Sequence, residues 1–397
     1  MLTNRTNSVQ TQVWSRRFAF KLHGWCGFLL SILMFVICLS GTFAVVSNEI
    51  DWLINPDLRA PVENKPMAWQ TIHRNVRALH PEAHILWLQA PIEPGFAVEA
   101  VMFRPDLKYP WRVYANPYSG VIQGEHGWLT VQRFLRDFHM YLFSPGWGKY
   151  LVTFFGWLML ASLITGIIVY RQWWRGFFTL EWHRGVRIRW GSLHKLMGVW
   201  SLWFVALISV TSVWYFVEAL MFDLTDFSYI AAPPVDAATL ASFGPAPEIG
   251  DLDAIVAAAK REVPEFRLRQ IIFPAAPDAP LTITAQTDAI LVRDRTNKFG
   301  FHPYTGELQS VQLAQHLSPA WRWVDTADPL HFGDFGGLVS KFLWFFFGLV
   351  LDAIILSGAW LYLRRMNRLA ERDQPGTVHQ PAPQPLPTVA REAIPHG

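Results

Sequence analysis

Four histidines recur at matching places in the two halves of this 397-residue chain: His23, His139, His194 and His331. Leu22-His23-Gly24 opens one apolar run and Leu193-His194-Lys195 opens another. His23 precedes Gly41 by 18 residues, and His194 precedes Ser212 by the same 18. Asp137-Phe138-His139 and Pro329-Leu330-His331 precede two further runs, and each histidine stands 27 residues before a glycine, Gly166 and Gly358. Paired neutral imidazoles from different helices are one known way to hold a b-type haem with both axial positions filled. Such an iron carries electrons and has no open position for oxygen. The competing reading is structural: histidine near a helix end also serves as an interfacial anchor or packing residue, and duplication would copy it.

The elements that position these residues are membrane spans. No charge occurs between Lys21 and Glu49, between Lys149 and Arg171, or between Lys195 and Glu218, and only Asp352 lies between Lys341 and Arg364. Each run is long enough, at about 1.5 Å per residue, to cross about 30 Å of hydrocarbon. The expected order is a segment 1–20, spans at 21–46, 149–171, 193–222 and 338–364, a loop 172–192, two long connections 47–146 and 223–337, and a disordered tail 365–397. Arg16, Arg17, Lys21, Arg171, Arg175, Arg184, Arg187, Arg189, Lys195, Arg364, Arg365 and Arg368 all fall on one side. The positive-inside rule makes that side cytoplasmic, with both termini, and turns the long connections outward. The first apolar run continues into Glu49-Ile50-Asp51 with no small-residue cleavage site, so no removable leader is expected.

Composition agrees: 51% of residues are apolar, 15% aromatic and 16% charged. The net charge of +3 is explained by topology and implies no nucleic-acid partner. The only cysteines, Cys26 and Cys38, lie on one span and cannot bridge.

The long connections echo each other. Asn116-Pro117-Tyr118-Ser119-Gly120 matches His302-Pro303-Tyr304-Thr305-Gly306, a tight turn between extended runs. Extended runs are expected at 111–114, from Gly120, at 289–292 and from Leu308, with helices near 68–79 and 251–261. The fold class is therefore an α-helical membrane protein, a four-span bundle from two tandem parallel repeats with two small outward α+β domains. A parallel arrangement about an axis normal to the membrane sets His23 and His194 at one depth and His139 and His331 at another.

Other residues have competing uses. Gly24, Gly27, Gly146, Gly148, Gly198, Gly333, Gly336 and Gly337 lie near the four histidines, where a flat macrocycle needs room or helices pack closely. His73, His80 and His84 form a loose cluster in which Pro81 disfavours a metal site. His126, His183, His302 and His316 have no matching pattern. Asp352 is absent from the other half, where Leu160 takes its place. It is either a proton relay or an acceptor for a hydroxyl on a neighbouring helix.

Leu22-His23-Gly24-Trp25, the two Tyr-Ser/Thr-Gly turns, and Leu330-His331-Phe332-Gly333-Asp334-Phe335-Gly336-Gly337 together resemble the PepSY-associated transmembrane family, over about residues 17–366. Members of that family include bacterial inner-membrane reductases of ferric siderophores, ferrioxamine among them. The resemblance implies two b haems, one held by His23 and His194 and one by His139 and His331. It also implies periplasmic PepSY domains and a ferric siderophore as the outside electron acceptor, in the service of iron uptake. Ser212 in place of a second Gly41 bears on packing. No nucleotide or flavin motif occurs, so electrons would come from a quinol or a separate cytoplasmic reductase. The rival classes are a PepSY regulatory or binding protein without redox activity, and a di-haem cytochrome serving another acceptor such as copper or a quinone.

Overall fold

The computed structural model describes residues 3–28, 31–225, 233–244, 248–263 and 265–372. Helices α1 (Thr3–Phe28) and α2 (Ser31–Val45) lead into α3 (Ser47–Ile54) and α4 (Trp69–Leu79). Strands β1 (His84–Gln89), β2 (Val98–Phe103), β3 (Trp111–Ala115) and β4 (Ile122–Gly127) follow, then α5 (Val131–Tyr141) and α6 (Gly148–Val169). The second half continues with α7 (Val186–Trp200), α8 (Leu202–Leu224), α9 (Ala237–Ser242) and α10 (Leu252–Glu262). Strands β5 (Arg267–Ile272), β6 (Leu281–Gln286), β7 (Asn297–Phe301) and β8 (Leu308–Gln312), with α11 (Pro319–Phe332) and α12 (Gly337–Arg372), complete it.

The chain is a membrane protein. Three helices, α6, α8 and α12, are long and apolar enough to cross a bilayer, and the α1–α2 pair makes a fourth if its two arms count as one span. The expected single helix over 21–46 is two helices meeting at 64°. The span expected at 193–222 is likewise divided at Ser201, whose hydroxyl donates to the Met197 carbonyl and competes with the backbone ladder. At the far end, α12 runs on through Arg372 rather than stopping near 364, so the first residues of the supposed disordered tail are helical; the rest of that tail lies outside the described residues. Arg364 stacks on Trp360 and Arg365 on Phe20 where this extension begins.

Packing repeats between the halves. Helix α1 lies on α6 and α7 on α12, while α8 lies on α6 and α2 on α12. Gly156 lets α8 approach until its own missing Cβ would stand 2.6 Å from Ser212 Cβ, and Gly348 does the same against the Thr42 hydroxyl. Two lysines tie the ends of the spans across the halves: Lys341 to Glu49 at 2.7 Å and Lys149 to Asp223 at 2.6 Å.

Where two separate α+β domains were expected, the strands form one eight-stranded antiparallel sheet, in the order β4-β3-β2-β1-β5-β6-β7-β8. Two four-strand meanders join edge to edge through β1 and β5. Leu88 faces Ile271, each the fifth residue of its strand, so the two halves meet about a local twofold. Pairing edge to edge satisfies backbone groups that either meander alone would leave exposed. On one face Leu88, Met102, Val113, Ile271, Ile283, Phe299 and Phe301 pack under α4 and α10. Each such buried side chain contributes about 1.5–3 kcal/mol.

The helices above that face cap each other. Gln70 and Asp253 are each the second residue of their helix. Asp253 accepts from the Trp69 and Gln70 amides at 2.8 and 3.1 Å, and Gln70 accepts from the Leu252 amide at 3.0 Å. Replacing Asp253 with alanine is therefore expected to lower stability by about 1–2 kcal/mol, read as a shifted denaturation midpoint of the sheet and its two helices.

The strand expected at 289–292 does not form. Leu291 has φ of 56°, in the left-handed region, and the ladder with β6 is made by Asn297–Phe301 instead. An apolar run alone does not distinguish a strand from a loop that covers apolar surface. The matched turns do form, with Gly120 and Gly306 at φ of 71° and 72°. Asn116 Oδ1 accepts from the Tyr118 and Ser119 amides, and His302 Nδ1 accepts from Tyr304 and Thr305 in the same way. His302 is thus a turn residue.

Candidate functional site: two facing histidine pairs

Each of the four histidines sits on a helix next to a span and reaches across to the other span of its own half. His23, on α1, sets its Nδ1 2.9 Å from the Ser162 carbonyl on α6, with its ring against Gly166. His139, on α5, sets its Nδ1 2.9 Å from the Ile37 carbonyl on α2, with its ring against Gly41. His194, on α7, meets the Ser357 hydroxyl on α12 at 2.9 Å and packs on Gly358. His331, on α11, meets the Thr211 hydroxyl on α8 at 2.8 Å. The glycines at the 27-residue spacing, and Gly41 at the 18-residue spacing, are thus the landing places of histidines from the partner helix.

These contacts fix the tautomers. Ser162 and Ile37 offer carbonyl oxygens, which only accept, so Nδ1 of His23 and His139 carries the proton. The Ser357 and Thr211 hydroxyls donate to carbonyls of their own helices, at 3.1 Å to Ile354 and 2.9 Å to Leu207. Their oxygens are left to accept from Nδ1–H of His194 and His331. All four rings therefore present an unprotonated Nε2, the form that binds a metal. None of these Nε2 atoms has a hydrogen-bond partner among the described residues.

The rings then meet in two pairs. His23 and His194 have centroids 6.3 Å apart, and His139 and His331 have centroids 6.2 Å apart. Two imidazoles sharing one metal ion at about 2 Å per bond would have centroids about 6 Å apart. Beside the first pair, a Cβ added at Gly27 or Gly198 would meet nothing within 4 Å, which leaves room on both sides of it. Gly146 and Gly337 are similarly open, whereas Gly24 packs on Tyr362, Gly148 on the Tyr141 carbonyl, Gly333 on Trp344 and Gly336 on Ser340. Those four are packing or turn glycines.

A model of the PepSY-associated TM region matches residues 20–365. The chain belongs to the PepSY-associated TM region family. Comparison with curated proteins gives no match. The family match spans both histidine pairs and the whole eight-stranded sheet, so in this PepSY-associated protein all of these lie within one family unit.

The sequence marked Gly41, Gly166, Ser212 and Gly358 as repeat positions but not as the places that receive the rings. Each landing place reads hydroxyl then small residue: Ser40-Gly41, Thr165-Gly166, Thr211-Ser212 and Ser357-Gly358. That fourfold dipeptide was the available signal. Tyr215 was also missed. Its ring packs edge-on against His331 at 5.1 Å, and its hydroxyl donates to Asp328 at 2.8 Å.

Asp352 is buried on α12, and its Oδ2 accepts from the Thr42 hydroxyl at 3.1 Å, next to the Gly41 that supports His139. Its Oδ1 has no partner among the described residues. The His73, His80 and His84 cluster does not close on a metal. His73 is buried and stacked on Phe273, His80 bonds Glu125 at 2.8 Å, and His84 points to solvent from β1. Among the described residues no group of three or more metal-ligating side chains converges anywhere. His126 pairs with Asp57 at 2.9 Å.

Burial, helped by the nearby Arg77 charge, pushes the His73 pKa down to about 4 from an ordinary 6.5. The folded form holds the neutral ring, so the unfolded chain binds the extra proton below pH 6.5. Stability is full above that value and falls as the pH drops toward about 4. Going from pH 7 to pH 5 should cost the sheet about 2 kcal/mol. A His73→Phe variant should flatten this part of the Tm-against-pH profile.

Proposed function

We propose that this protein is a di-haem b oxidoreductase of the bacterial inner membrane that passes electrons to a ferric siderophore in the periplasm, releasing ferrous iron. The observation that carries the reading is the pair of facing imidazole couples, 6.3 and 6.2 Å apart, with every Nδ1–H engaged. In this reading the chain is a four-span bundle of two tandem parallel repeats, and the α1–α2 pair is its first span. Both termini are cytoplasmic, and the sheet with α4 and α10 forms the periplasmic PepSY-like part.

His23 and His194 would hold the cytoplasmic-side haem, and His139 and His331 the periplasmic-side haem. Two imidazoles alone are a sparse donor set for a free metal ion, whereas a porphyrin brings four nitrogens of its own. When bound, haem supplies reversible one-electron chemistry. The residues of the chain do the rest. Ser162, Ile37, Ser357 and Thr211 orient the rings and keep the proton on Nδ1, while the phenylalanine- and tryptophan-rich spans exclude water. Asp352 would relay a proton that accompanies the electron, with Thr42 as its neighbour. Siderophore oxygens are hard ligands that favour ferric iron, so reduction loosens the chelate. The donor would be a membrane quinol or a separate cytoplasmic reductase.

The test is spectroscopic. Protein purified from membranes should show a Soret band equal to two haems per chain, reduced by a quinol and reoxidised by a ferric siderophore. A preparation saturated with haem during expression that still lacks the band would end the reading in favour of a regulatory PepSY protein. A band reoxidised only by copper or a quinone would make it a cytochrome for another acceptor.

A further inference from the structure

The face of the sheet turned away from α4 and α10 differs sharply between the halves. In the first half, Trp87 meets Trp128 edge to face, and Arg112 and Arg133 stack on Trp128. Arg112 is also held by Glu99 on the neighbouring strand at 2.7 Å. That face is closed. In the second half, Gln270 and Thr284 stand at the strand positions of Trp87 and Val101, Lys298 at that of Arg112, and Thr282 at that of Glu99. The large ring and the acid are both gone.

A cavity of about 280 Å³ opens there, between the sheet and α11. Its wall carries Arg293, Arg295, Lys298 and Asp325, and Arg293 is paired with Glu218 and Asp328 as well as with Asp325. Thr284, buried in the same wall, has a hydroxyl with no protein partner among the described residues. The cavity also lies close to the second histidine pair. Arg293 binds Asp328 at 2.6 Å, Asp328 accepts from Tyr215, and Tyr215 packs on His331.

We infer that this cavity is the acceptor site, and that it takes a compact, anionic, oxygen-ligated ferric chelate of the polycarboxylate class. The inference rests on the reductase reading for the word acceptor; the binding itself does not. Arg293 is taken up by Glu218, Asp325 and Asp328, so the attraction for negative charge rests on Arg295 and Lys298, and the unpartnered Thr284 hydroxyl offers a hydrogen bond to a ligand oxygen. The volume, near the lower end of small-molecule sites, suits a compact chelate better than a large macrocyclic one. In the first half the corresponding place is filled by Trp87 and Trp128.

The experiment is calorimetric titration of the full-length protein in detergent with gallium(III) citrate, which is redox-inert. Citrate alone and a cationic gallium trihydroxamate serve as comparisons. Gallium citrate should bind at one site, and Arg295→Gln with Lys298→Gln should weaken it by at least about tenfold. Gln270→Trp, which copies the first half, should block it without removing a charge. Equal affinity in all variants, no saturable binding, equal binding of citrate alone, or preference for the cationic trihydroxamate would each overturn the proposal. Haem content and helicity of the variants, measured in parallel, show that they are folded. The titration needs no electron donor, so loss of the haem reading would show in the Soret band and loss of this one in the heat of binding.

Discussion

Replacing His331 with alanine should remove about half of the haem bound per chain and leave the other half spectrally unchanged. The expectation follows from the pairing. His331 faces His139 and is tied by Thr211 and Tyr215, whereas His23, tied by Ser162, faces His194, tied by Ser357, on different helices. The two couples share no side chain, so loss of one imidazole should empty one site only. Pyridine haemochrome assay of the purified variant reads the content directly. His23→Ala should give the complementary loss, with the residual haem now that of the other couple. Unchanged haem in His331→Ala would sink the pairing. Loss of both haems with native helicity would mean that the two sites are not independent.

Gly41→Ala should cost nearly as much as removing His139 itself. A methyl group there would stand 2.5 Å from Cε1 and 2.8 Å from Nδ1 of the His139 ring. The ring cannot yield without breaking its hydrogen bond to the Ile37 carbonyl, which fixes both its tautomer and its direction. Loss of such an orienting contact to a metal-binding histidine typically costs about 10–100-fold in affinity. The same change at Gly166 or Gly358 is milder, because the nearest ring atoms are 3.3 and 3.2 Å away. Haem retention should therefore rank Gly358→Ala and Gly166→Ala well above Gly41→Ala. Equal retention in all three would remove the steric argument. Thr211→Val keeps the shape beside His331 and removes only the oxygen, so it separates orientation from packing in the second half.

The sequence by itself determined that four histidines recur at matched spacing and that they sit beside apolar spans. These are local properties: a charge-free run about 20 residues long has few uses other than a span, and matched spacing along helices survives folding as matched height. The Asn116 and His302 turns were legible for the same reason, since their hydrogen bonds lie within four residues. The resemblance carried by Leu22–Trp25 and Leu330–Gly337 agrees with the family match over residues 20–365.

Only the tertiary structure decided what each histidine touches. Gly41 was visible as a repeated small residue, but not as the seat of His139, because α2 and α5 meet through packing that no spacing encodes. The Thr211 and Ser357 hydroxyls look like ordinary back-bonded residues until an imidazole arrives from another helix. The single sheet was hidden too, since the Leu88 to Ile271 join depends on two distant edges finding one register. The angle between α1 and α2 and the left-handed Leu291 were likewise not legible in the sequence. Periodicity records which face of an element is apolar. It does not record which other element covers that face, and both histidine pairs are made where such faces meet.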